Sequence, residues 1–330
     1  MGVPDSAGSA ADEPIRVTLT DVEAAQKRIG GVIVRSPLIR LAVESAAEIY
    51  VKLENLQPTG SFKVRGVANA IALIPEEERA RGVFTCSAGN MAQALAFHAR
   101  RWGIRCTVIV PDNAPETKLA GIRRYGAEIV QLPWREVWEV ATTRRYPPLE
   151  DMTFVHPFAN PSMIAGNGTI GLEILEDLPE VSAIIVPFGG GGLLAGIATA
   201  IRARKPEARL YACEPETAAP LAASIAAGSA QQVERKPSFV DGIGASSVLP
   251  EMWRLVKDLV DGCIVVSLAE IAAAVRLLVE RARIVAEGAG AASVAAALSG
   301  KAGGGRVVCV VSGGNLSTAA LLRILSGDIP

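Results

Sequence analysis

The chain has 330 residues, half of them hydrophobic and only 5% aromatic, and at about 150 residues per domain this length predicts roughly two domains. Its only two histidines, His98 and His156, are too few for a three-histidine zinc site, and one of them would have to serve any Ser-His-Asp triad. Lysine and arginine total 33 against 34 aspartate and glutamate, so the net charge of −1 excludes the basic surplus that non-specific nucleic-acid binding needs.

Helical and strand patterns alternate along most of the chain. A T-x-x-E capping box from Thr20 to Glu23 predicts a helix that ends at residues 30–31. The predicted strands are residues 50–53, 83–86, 107–110, 129–132, 184–187, 210–214, 264–267 and 307–312. The predicted helices are residues 63–74, 90–102, 115–125, 164–175, 193–204, 250–260, 268–281 and 317–325. Several strands are continuous apolar runs, typical of strands buried on both faces of a parallel sheet, so the sequence predicts a doubly wound α/β fold.

Three features bear on the cellular compartment. The five cysteines are scattered and contain no C-x-x-C pair, so we expect no disulfide framework and a cytoplasmic protein. Residues 1–14 lack the apolar stretch of a signal peptide, and we interpret their formal myristoylation pattern as chance. The uncharged run 183–201 is long enough to span a membrane, but Pro187 and four glycines would break a lipid-exposed helix. We therefore expect a strand, a loop and a helix there, and no membrane association.

The most prominent loop contains Gly189, Gly190, Gly191 and Gly192, between a predicted strand and a predicted helix. Ligands of open parallel sheets bind at the carboxyl ends of the strands, where this loop lies. Glycines leave backbone N–H groups free to approach an anion, and a helix N-terminus adds positive potential, so the loop predicts a phosphate cradle. A tight structural turn is the plainer alternative.

The same loop also fits a dinucleotide-binding pattern. Gly190, Gly192 and Ala195 match G-x-G-x-x-A, and Glu214 ends the next strand, where such folds place the acid that binds a ribose. An NAD-dependent or flavin-dependent oxidoreductase therefore stays open as a rival hypothesis. A ligand-binding α/β protein without catalytic activity is a third.

Lys63 follows the turn residues 57–62 and lies in the first turn of a predicted helix. The positive end of a helix disfavours an ammonium group and lowers its pKa, which makes Lys63 a candidate Schiff-base nucleophile. A solvated surface lysine is the ordinary alternative.

Two more polar loops follow predicted strands. Ser87 and Asn90 offer side-chain hydrogen bonds, although both also suit ordinary helix capping. Ser312 is followed by two glycines and Asn315, which a simple turn would also explain. Together the four loops suit a ligand with a phosphate, an aldehyde carbon and a ring with polar edges, a description that pyridoxal 5'-phosphate meets.

These segments, in this order, resemble the fold-type II pyridoxal-phosphate enzymes, and within them the threonine/serine dehydratase (ammonia-lyase) and serine racemase family. The resemblance runs from about residue 36 to residue 325. It rests on P-T-G-S-F-K-V-R-G at 58–66, S-A-G-N at 87–90, H-P at 156–157, I-A-G-N-G-T at 164–169, G-G-G-G-L at 189–193, D-G at 241–242 and S-G-G-N at 312–315.

The resemblance implies a role for each loop. Lys63 is implied to hold the cofactor as a Schiff base and later to move the Cα proton, with Phe62 packed near the ring. Asn90 is implied to bind the 3′-oxygen of the ring and Ser312 its pyridine nitrogen. The phosphate is implied to be held by Gly189, Gly190, Gly191, Gly192 and Leu193. The substrate carboxylate is implied to be received by Ser87, Ala88, Gly89 and Met91.

The resemblance also implies a two-lobed fold like that of the tryptophan synthase β subunit, with mostly parallel sheets and helices on both faces. We expect a large cofactor-binding domain from residues 1–81 and 159–330, and a small mobile domain from residues 82–158. The implied reaction is α,β-elimination of a 3-hydroxy amino acid, with L-threonine or L-serine as the default substrate, to a 2-oxo acid and ammonia. We expect a homodimer or higher homo-oligomer, and no regulatory domain that would respond to isoleucine.

Several positions depart from the family pattern. Met91 replaces the usual histidine, and Phe158 and Ala159 replace more polar residues, so a dehydratase for a bulkier 3-hydroxy amino acid is an alternative. An amino-acid racemase is another, but serine racemases carry a serine where Ala88 stands, and alanine cannot transfer a proton. Pro220 falls where an acidic cluster would support a cation beside Glu214, so we expect no metal.

Overall fold

Two β-sheets, mostly parallel, form the framework of the computed structural model, which describes residues 14–330. The expectations for the segment before residue 14 lie outside the described residues. The larger sheet has the order β1-β2-β10-β7-β8-β9 and the smaller β5-β4-β3-β6, and only the β1–β2 pair is antiparallel. The strands are β1 Leu38–Arg40, β2 Ala47–Leu53, β3 Val83–Cys86, β4 Cys106–Pro111, β5 Glu128–Leu132, β6 Thr153–Phe154, β7 Ala183–Pro187, β8 Arg209–Pro215, β9 Gly262–Val266 and β10 Gly305–Val311.

Helices connect the strands and cover the sheets. They are α1 Leu19–Ile29, α2 Lys63–Leu73, α3 Glu76–Arg81, α4 Asn90–Trp102, α5 Glu116–Arg123, α6 Trp134–Thr143, α7 Pro161–Asp177, α8 Gly192–Arg204, α9 Pro220–Ala227, α10 Pro250–Val256, α11 Leu268–Leu277, α12 Gly288–Leu298 and α13 Thr318–Leu325. The predicted α/β class with mostly parallel sheets is confirmed. The four-stranded sheet runs from Val83 to Phe154, while the exact domain boundaries stay a prediction.

The central strands of the large sheet are apolar because both of their faces are covered. All five residues of β7 are buried, and so are the last five of β10. Helix α12 is also buried over ten of its eleven residues and packs against the sheet. This core holds the carboxyl ends of the strands, and therefore the loops that follow them, in fixed positions.

The first helix begins at a different capping box from the one predicted. Thr18 accepts a hydrogen bond from the Asp21 backbone amide, and the Asp21 carboxylate accepts one from the Thr18 amide, so α1 starts at Leu19. The prediction of a box from Thr20 to Glu23 is wrong because this reciprocal pair, two residues earlier, satisfies the helix end.

A buried cluster of charged side chains ties α2 to its neighbours. The Arg65 guanidinium donates to both oxygens of Glu54, at 2.7 and 2.8 Å, and to both oxygens of Glu173 on α7, at 2.6 and 2.9 Å. Lys52 of β2 lies 2.6 Å from Glu173. Because Arg65 is two residues after Lys63, this cluster fixes the first turn of α2, on which Lys63 lies.

One helix carries an irregular turn. Helix α11 continues into a π-helical turn, Leu278–Ala282, and Arg283 ends it in the left-handed conformation with a φ of 62°. This turn leads the chain to Glu287, directly before α12.

The uncharged run 183–201 folds as β7, the glycine loop and α8, as predicted. Over residues 14–330, no helix combines the length and the apolar character that crossing a membrane requires.

Candidate active site

The loop before Lys63 and the loop after β10 are joined by backbone hydrogen bonds. The Phe62 amide donates to the Ser312 carbonyl at 3.0 Å, and the Gly314 amide donates to the Gly60 carbonyl at 2.9 Å. Ser61 also forms an isolated bridge with Gly313. Two of the four predicted loops therefore form one continuous wall.

Lys63 is the first residue of α2, and its side chain points into the protein. The Lys63 Nζ donates a hydrogen bond to the Pro157 carbonyl at 2.5 Å and lies 5.1 Å from the centre of the Phe62 ring. Burial removes water from this ammonium group and lowers the pKa of Lys63 from 10.5 to about 8. The predicted lowering is found, but its cause is desolvation rather than the helix end. A substantial fraction of the side chain is thus the neutral, nucleophilic amine near neutral pH.

The glycine loop packs directly against Phe158. A Cβ atom on Gly190 would lie 2.1 Å from the Phe158 Cγ, and one on Gly192 would lie 2.6 Å from the Phe158 carbonyl oxygen. Gly191 has a φ of 89°, which disfavours any residue with a side chain. Helix α8 begins at Gly192, and its first N–H groups have no partners within the helix. The loop therefore offers backbone donors and positive potential, as an anion site requires.

Asn90, the first residue of α4, is fixed on both sides of its amide. Its Nδ2 donates to Glu287 Oε1 at 2.7 Å, and its Oδ1 accepts from Asn315 Nδ2, also at 2.7 Å. The Asn315 amide further donates to the Thr59 carbonyl at 2.9 Å. Asn90 thus links its own loop to the other two.

Glu287 is a site residue that the sequence analysis missed. It is the N-cap of a helix so uniformly apolar that no periodicity marks its start. Burial raises the pKa of the Glu287 carboxyl from 4.5 to about 7, although the hydrogen bond from Asn90 acts in the opposite direction. A glutamate placed just before an apolar, glycine-containing run was the only available signal.

The loop expected to receive a substrate carboxylate is partly open. Ser87, Ala88 and Gly89 are partly exposed, and a Cβ on Gly89 would meet no atom within 4 Å. Met91, in contrast, is only 2% exposed and packs into the core beside the four-stranded sheet, with Val67 among its neighbours. Its side chain does not line the loop, so Met91 can offer only its backbone there.

Both histidines act as scaffolding. The His98 ring nitrogen Nε2 lies 2.9 Å from the Val64 carbonyl oxygen, and burial lowers the pKa of His98 to about 4. The His156 Nδ1 accepts from the backbone amides of Phe158 and Ala159, and burial lowers the pKa of His156 to about 3. His156 thereby shapes the turn that presents the Pro157 carbonyl to Lys63.

Glu214 is not free to bind a ribose. It is fully buried, and its two carboxylate oxygens accept hydrogen bonds from the Leu221 and Ala222 amides at the start of α9, both at 2.9 Å. Within residues 14–330, no group of three or more His, Cys, Asp or Glu side chains is placed to hold a metal ion. The dinucleotide hypothesis therefore loses the acid on which it depended.

The residues present fit pyridoxal phosphate. The buried Ser61 hydroxyl has no hydrogen-bond partner among the described residues, and it lies beside Phe62 and Lys63. An amine with a pKa of about 8, a glycine cradle that leaves no room for side chains, and Asn90 with one amide hydrogen uncommitted complete the set. These groups match an aldehyde, a phosphate and the polar edge of a ring.

Comparison with known proteins gives the same result. Residues 29–313 match the family model described as "Pyridoxal-phosphate dependent enzyme". The chain is 43% identical to an L-threonine ammonia-lyase of Thermotoga maritima, over 94% of this chain and 78% of that protein. It is 36% identical to the catabolic L-threonine dehydratase of Escherichia coli K12, over 93% of this chain and 96% of that protein.

Solved structures are similar over almost the whole fold. A serine racemase from Dictyostelium discoideum has a TM-score of 0.84 and 36% identity, covering 91% of this chain and 99% of its own. A threonine deaminase from T.th. has a TM-score of 0.84 and 33% identity, with the same coverage of 91% and 99%. With a matching model over most of its length and relatives of this similarity, the chain belongs to the family of pyridoxal-phosphate dependent enzymes.

Proposed function

We propose that this enzyme eliminates water from L-threonine or L-serine and releases a 2-oxo acid and ammonia. The observation that carries the proposal is Lys63, an amine of lowered pKa enclosed by loops whose other groups are backbone amides, hydroxyls and amides. The relatives described as threonine ammonia-lyase and threonine dehydratase support the choice of substrate.

Each loop has a role in this proposal. Bound pyridoxal phosphate supplies an electron sink for the bond to the Cα proton. Lys63 binds the cofactor and then takes up the Cα proton, while Phe62 packs beside the ring. Asn90 donates to the 3′-oxygen, Ser312 binds the pyridine nitrogen, and Gly189, Gly190, Gly191, Gly192 and Leu193 hold the phosphate. Ser87, Ala88, Gly89 and the backbone of Met91 receive the substrate carboxylate.

The serine at the pyridine nitrogen favours elimination. A carboxylate at this position would keep the nitrogen protonated and deepen the electron sink, whereas the Ser312 hydroxyl need not. A shallower sink suits a reaction in which a leaving group removes the electron pair at once. The substrate loses its Cα proton and its 3-hydroxyl, together one water molecule, and the released enamine takes up water to give the 2-oxo acid and ammonia.

Racemisation and bulkier substrates are the alternatives. The similarity to serine racemase brings racemisation into question, but Ala88 has no proton to transfer, so elimination is favoured over return of a proton to Cα. Phe158, which packs on the glycine cradle, makes the expected side-chain region more apolar. A dehydratase for a larger 3-hydroxy amino acid is therefore the second candidate.

The test combines colour with product analysis. Purified enzyme should show the visible absorption of lysine-bound pyridoxal phosphate, and borohydride should bleach it. Lys63→Ala should lose both the band and the release of 2-oxo acid from L-threonine and L-serine, whereas Lys257→Ala, at an exposed lysine, should keep them. A coloured enzyme that releases no 2-oxo acid from any member of a 3-hydroxy amino acid panel would refute the proposed reaction.

We further propose a cytoplasmic homodimer or higher homo-oligomer with a small mobile domain at residues 82–158. The five cysteines, all free thiols, suit a reducing compartment. Light scattering should return at least twice the chain mass of 34.4 kDa, and a monomer would refute the assembly.

A further inference from the structure

The Glu287 carboxylate is a buried charged group at the site to which the proposed reaction assigns no task. It accepts a hydrogen bond from Asn90 Nδ2 at 2.7 Å, and the backbone amide of Asn315 also donates to it. Asn90 belongs to α4, beside the four-stranded sheet, and Glu287 begins α12, which packs on the six-stranded sheet. The hydrogen bond therefore joins the two halves of the fold at the point where the cofactor ring is expected.

The contacts of Asn90 allow only one orientation of its amide. A carboxylate can only accept a hydrogen bond, so Glu287 must face the NH₂ side of Asn90. The Asn315 Nδ2 can only donate, so it must face the Asn90 carbonyl oxygen. Of the two N–H bonds on Asn90 Nδ2, one points to Glu287 and the second is left for another acceptor.

Glu287 has no freedom to move away. A Cβ on Gly313 would lie 2.5 Å from Glu287 Oε1, and one on Gly242 would lie 3.2 Å from the same atom, so these two glycines leave the space that the carboxylate needs. The charges that act on Glu287 are those of Asp241 and Lys118, which form a salt bridge with each other at 2.5 Å. Glu287 is thus held between glycines that flank the expected ring site.

We propose that Glu287 is a positioning residue that orients the Asn90 amide so that its second N–H faces the 3′-oxygen of pyridoxal phosphate. The proposal rests on the cofactor contacts in the proposed function. Without Glu287, the Asn90 amide can turn about its terminal bond and present its own oxygen to the 3′-oxygen, which is repulsive. The charge-assisted bond to the carboxylate is stronger than a bond between neutral groups, so the preference for one orientation is steep.

The test is a double-mutant cycle on the holoenzyme, read by the absorption maximum of the bound cofactor and by its dissociation constant. Glu287→Leu should shift the absorption maximum and weaken binding of pyridoxal phosphate by about tenfold or more, the effect of losing a hydrogen bond to a charged group. Asn90→Ala should give a similar change. The double variant should be no worse than Asn90→Ala alone, because Glu287 acts through Asn90.

Glu214→Leu is the matched control, because Glu214 is another buried glutamate whose pKa burial raises to about 7. It should lower thermal stability without moving the absorption maximum. Glu287→Gln keeps an acceptor oxygen and should recover most of the affinity. If Glu287→Leu does not fold, the cycle is run with Glu287→Gln, whose smaller effect must also vanish in the Asn90→Ala background.

An unchanged spectrum and affinity in Glu287→Leu, or effects of Glu287 and Asn90 that add, would overturn the positioning role. Neither readout needs turnover. Failure of the 2-oxo acid assay with an intact cycle would therefore refute the proposed reaction alone, and a failed cycle in an active dehydratase would refute only the role of Glu287.

Discussion

Lys63 should make the cofactor-free protein less stable than it would be with an apolar side chain at this position. Burial lowers the pKa of Lys63 from 10.5 to about 8, and at 1.36 kcal/mol per factor of ten this difference costs the folded state about 3 kcal/mol at neutral pH. Replacement by methionine also leaves the Pro157 carbonyl without its partner, which returns about 1 kcal/mol. Lys63→Met should therefore raise the unfolding free energy of the apoenzyme by about 2 kcal/mol near pH 7.

The sign of the pH dependence follows from the same difference. Below the folded-state pKa of about 8, Lys63 is charged in both states and the cost is present in full. Between this value and 10.5 the unfolded chain binds more protons than the folded one, so wild-type stability rises with pH and the cost disappears. The advantage of Lys63→Met should accordingly be largest below the folded-state pKa and shrink towards the ordinary lysine value.

Urea unfolding of both apoenzymes, from about pH 7 to about pH 10, measures this difference. Lys257→Met is the control, because the side chain of Lys257 is exposed and its replacement should change the unfolding free energy little at any pH in the series. A Lys63→Met apoenzyme that is less stable than the wild type at pH 7, or a gain that stays constant with pH, would refute the reasoning.

Three further predictions concern the scaffold. Arg65→Met should lower the unfolding free energy by about 3–5 kcal/mol, because it leaves two buried carboxylates without their shared partner, and urea unfolding should find Arg40→Met, at an exposed site, nearly unchanged. Gly190→Ala should weaken pyridoxal phosphate binding by about tenfold or more, because the new Cβ would lie 2.1 Å from the Phe158 Cγ, and an unaltered dissociation constant in a spectroscopic titration would contradict this. A metal chelator should leave the rate of 2-oxo acid release unchanged, because both Glu214 oxygens already accept backbone hydrogen bonds, and loss of the rate that Mg²⁺ restores would contradict it.

The sheet strands and the loops after them could be predicted because their signals are local. The residues of β7 and β10 are continuous apolar runs, and the bounds of α4, Asn90 to Trp102, agree with the predicted helix. Glycine, serine and asparagine after each strand marked the ligand-binding edge, since parallel strands present their carboxyl ends on the same side.

Helix α12 could not be predicted because it is apolar on all sides. A helix buried over its whole circumference has no polar face, so the 3.6-residue contrast that marks a surface helix is absent. Glu287 was missed with it, because a cap can be recognised only when the helix that it begins is recognised.

The direction of a side chain and the origin of a pKa shift depend on distant parts of the chain. Met91 adjoins the polar loop in sequence, yet it faces the core because of how the first turn of α4 packs. The lowered pKa of Lys63 follows from burial against a segment 94 residues away, at Pro157. Neither fact is encoded in the spacing of nearby residues.

The π-helical turn at Leu278–Ala282 restricts how this part of the chain can vary in length. A π turn holds one residue more than an α-helical turn, so deleting any one of these residues would restore a regular helix at little local cost. The deletion would, however, rotate everything that follows by about 100° and withdraw it by about 1.5 Å. Glu287 would then miss Asn90, so an alignment of functional relatives should tolerate substitutions between residues 278 and 287 but contain no insertions or deletions there.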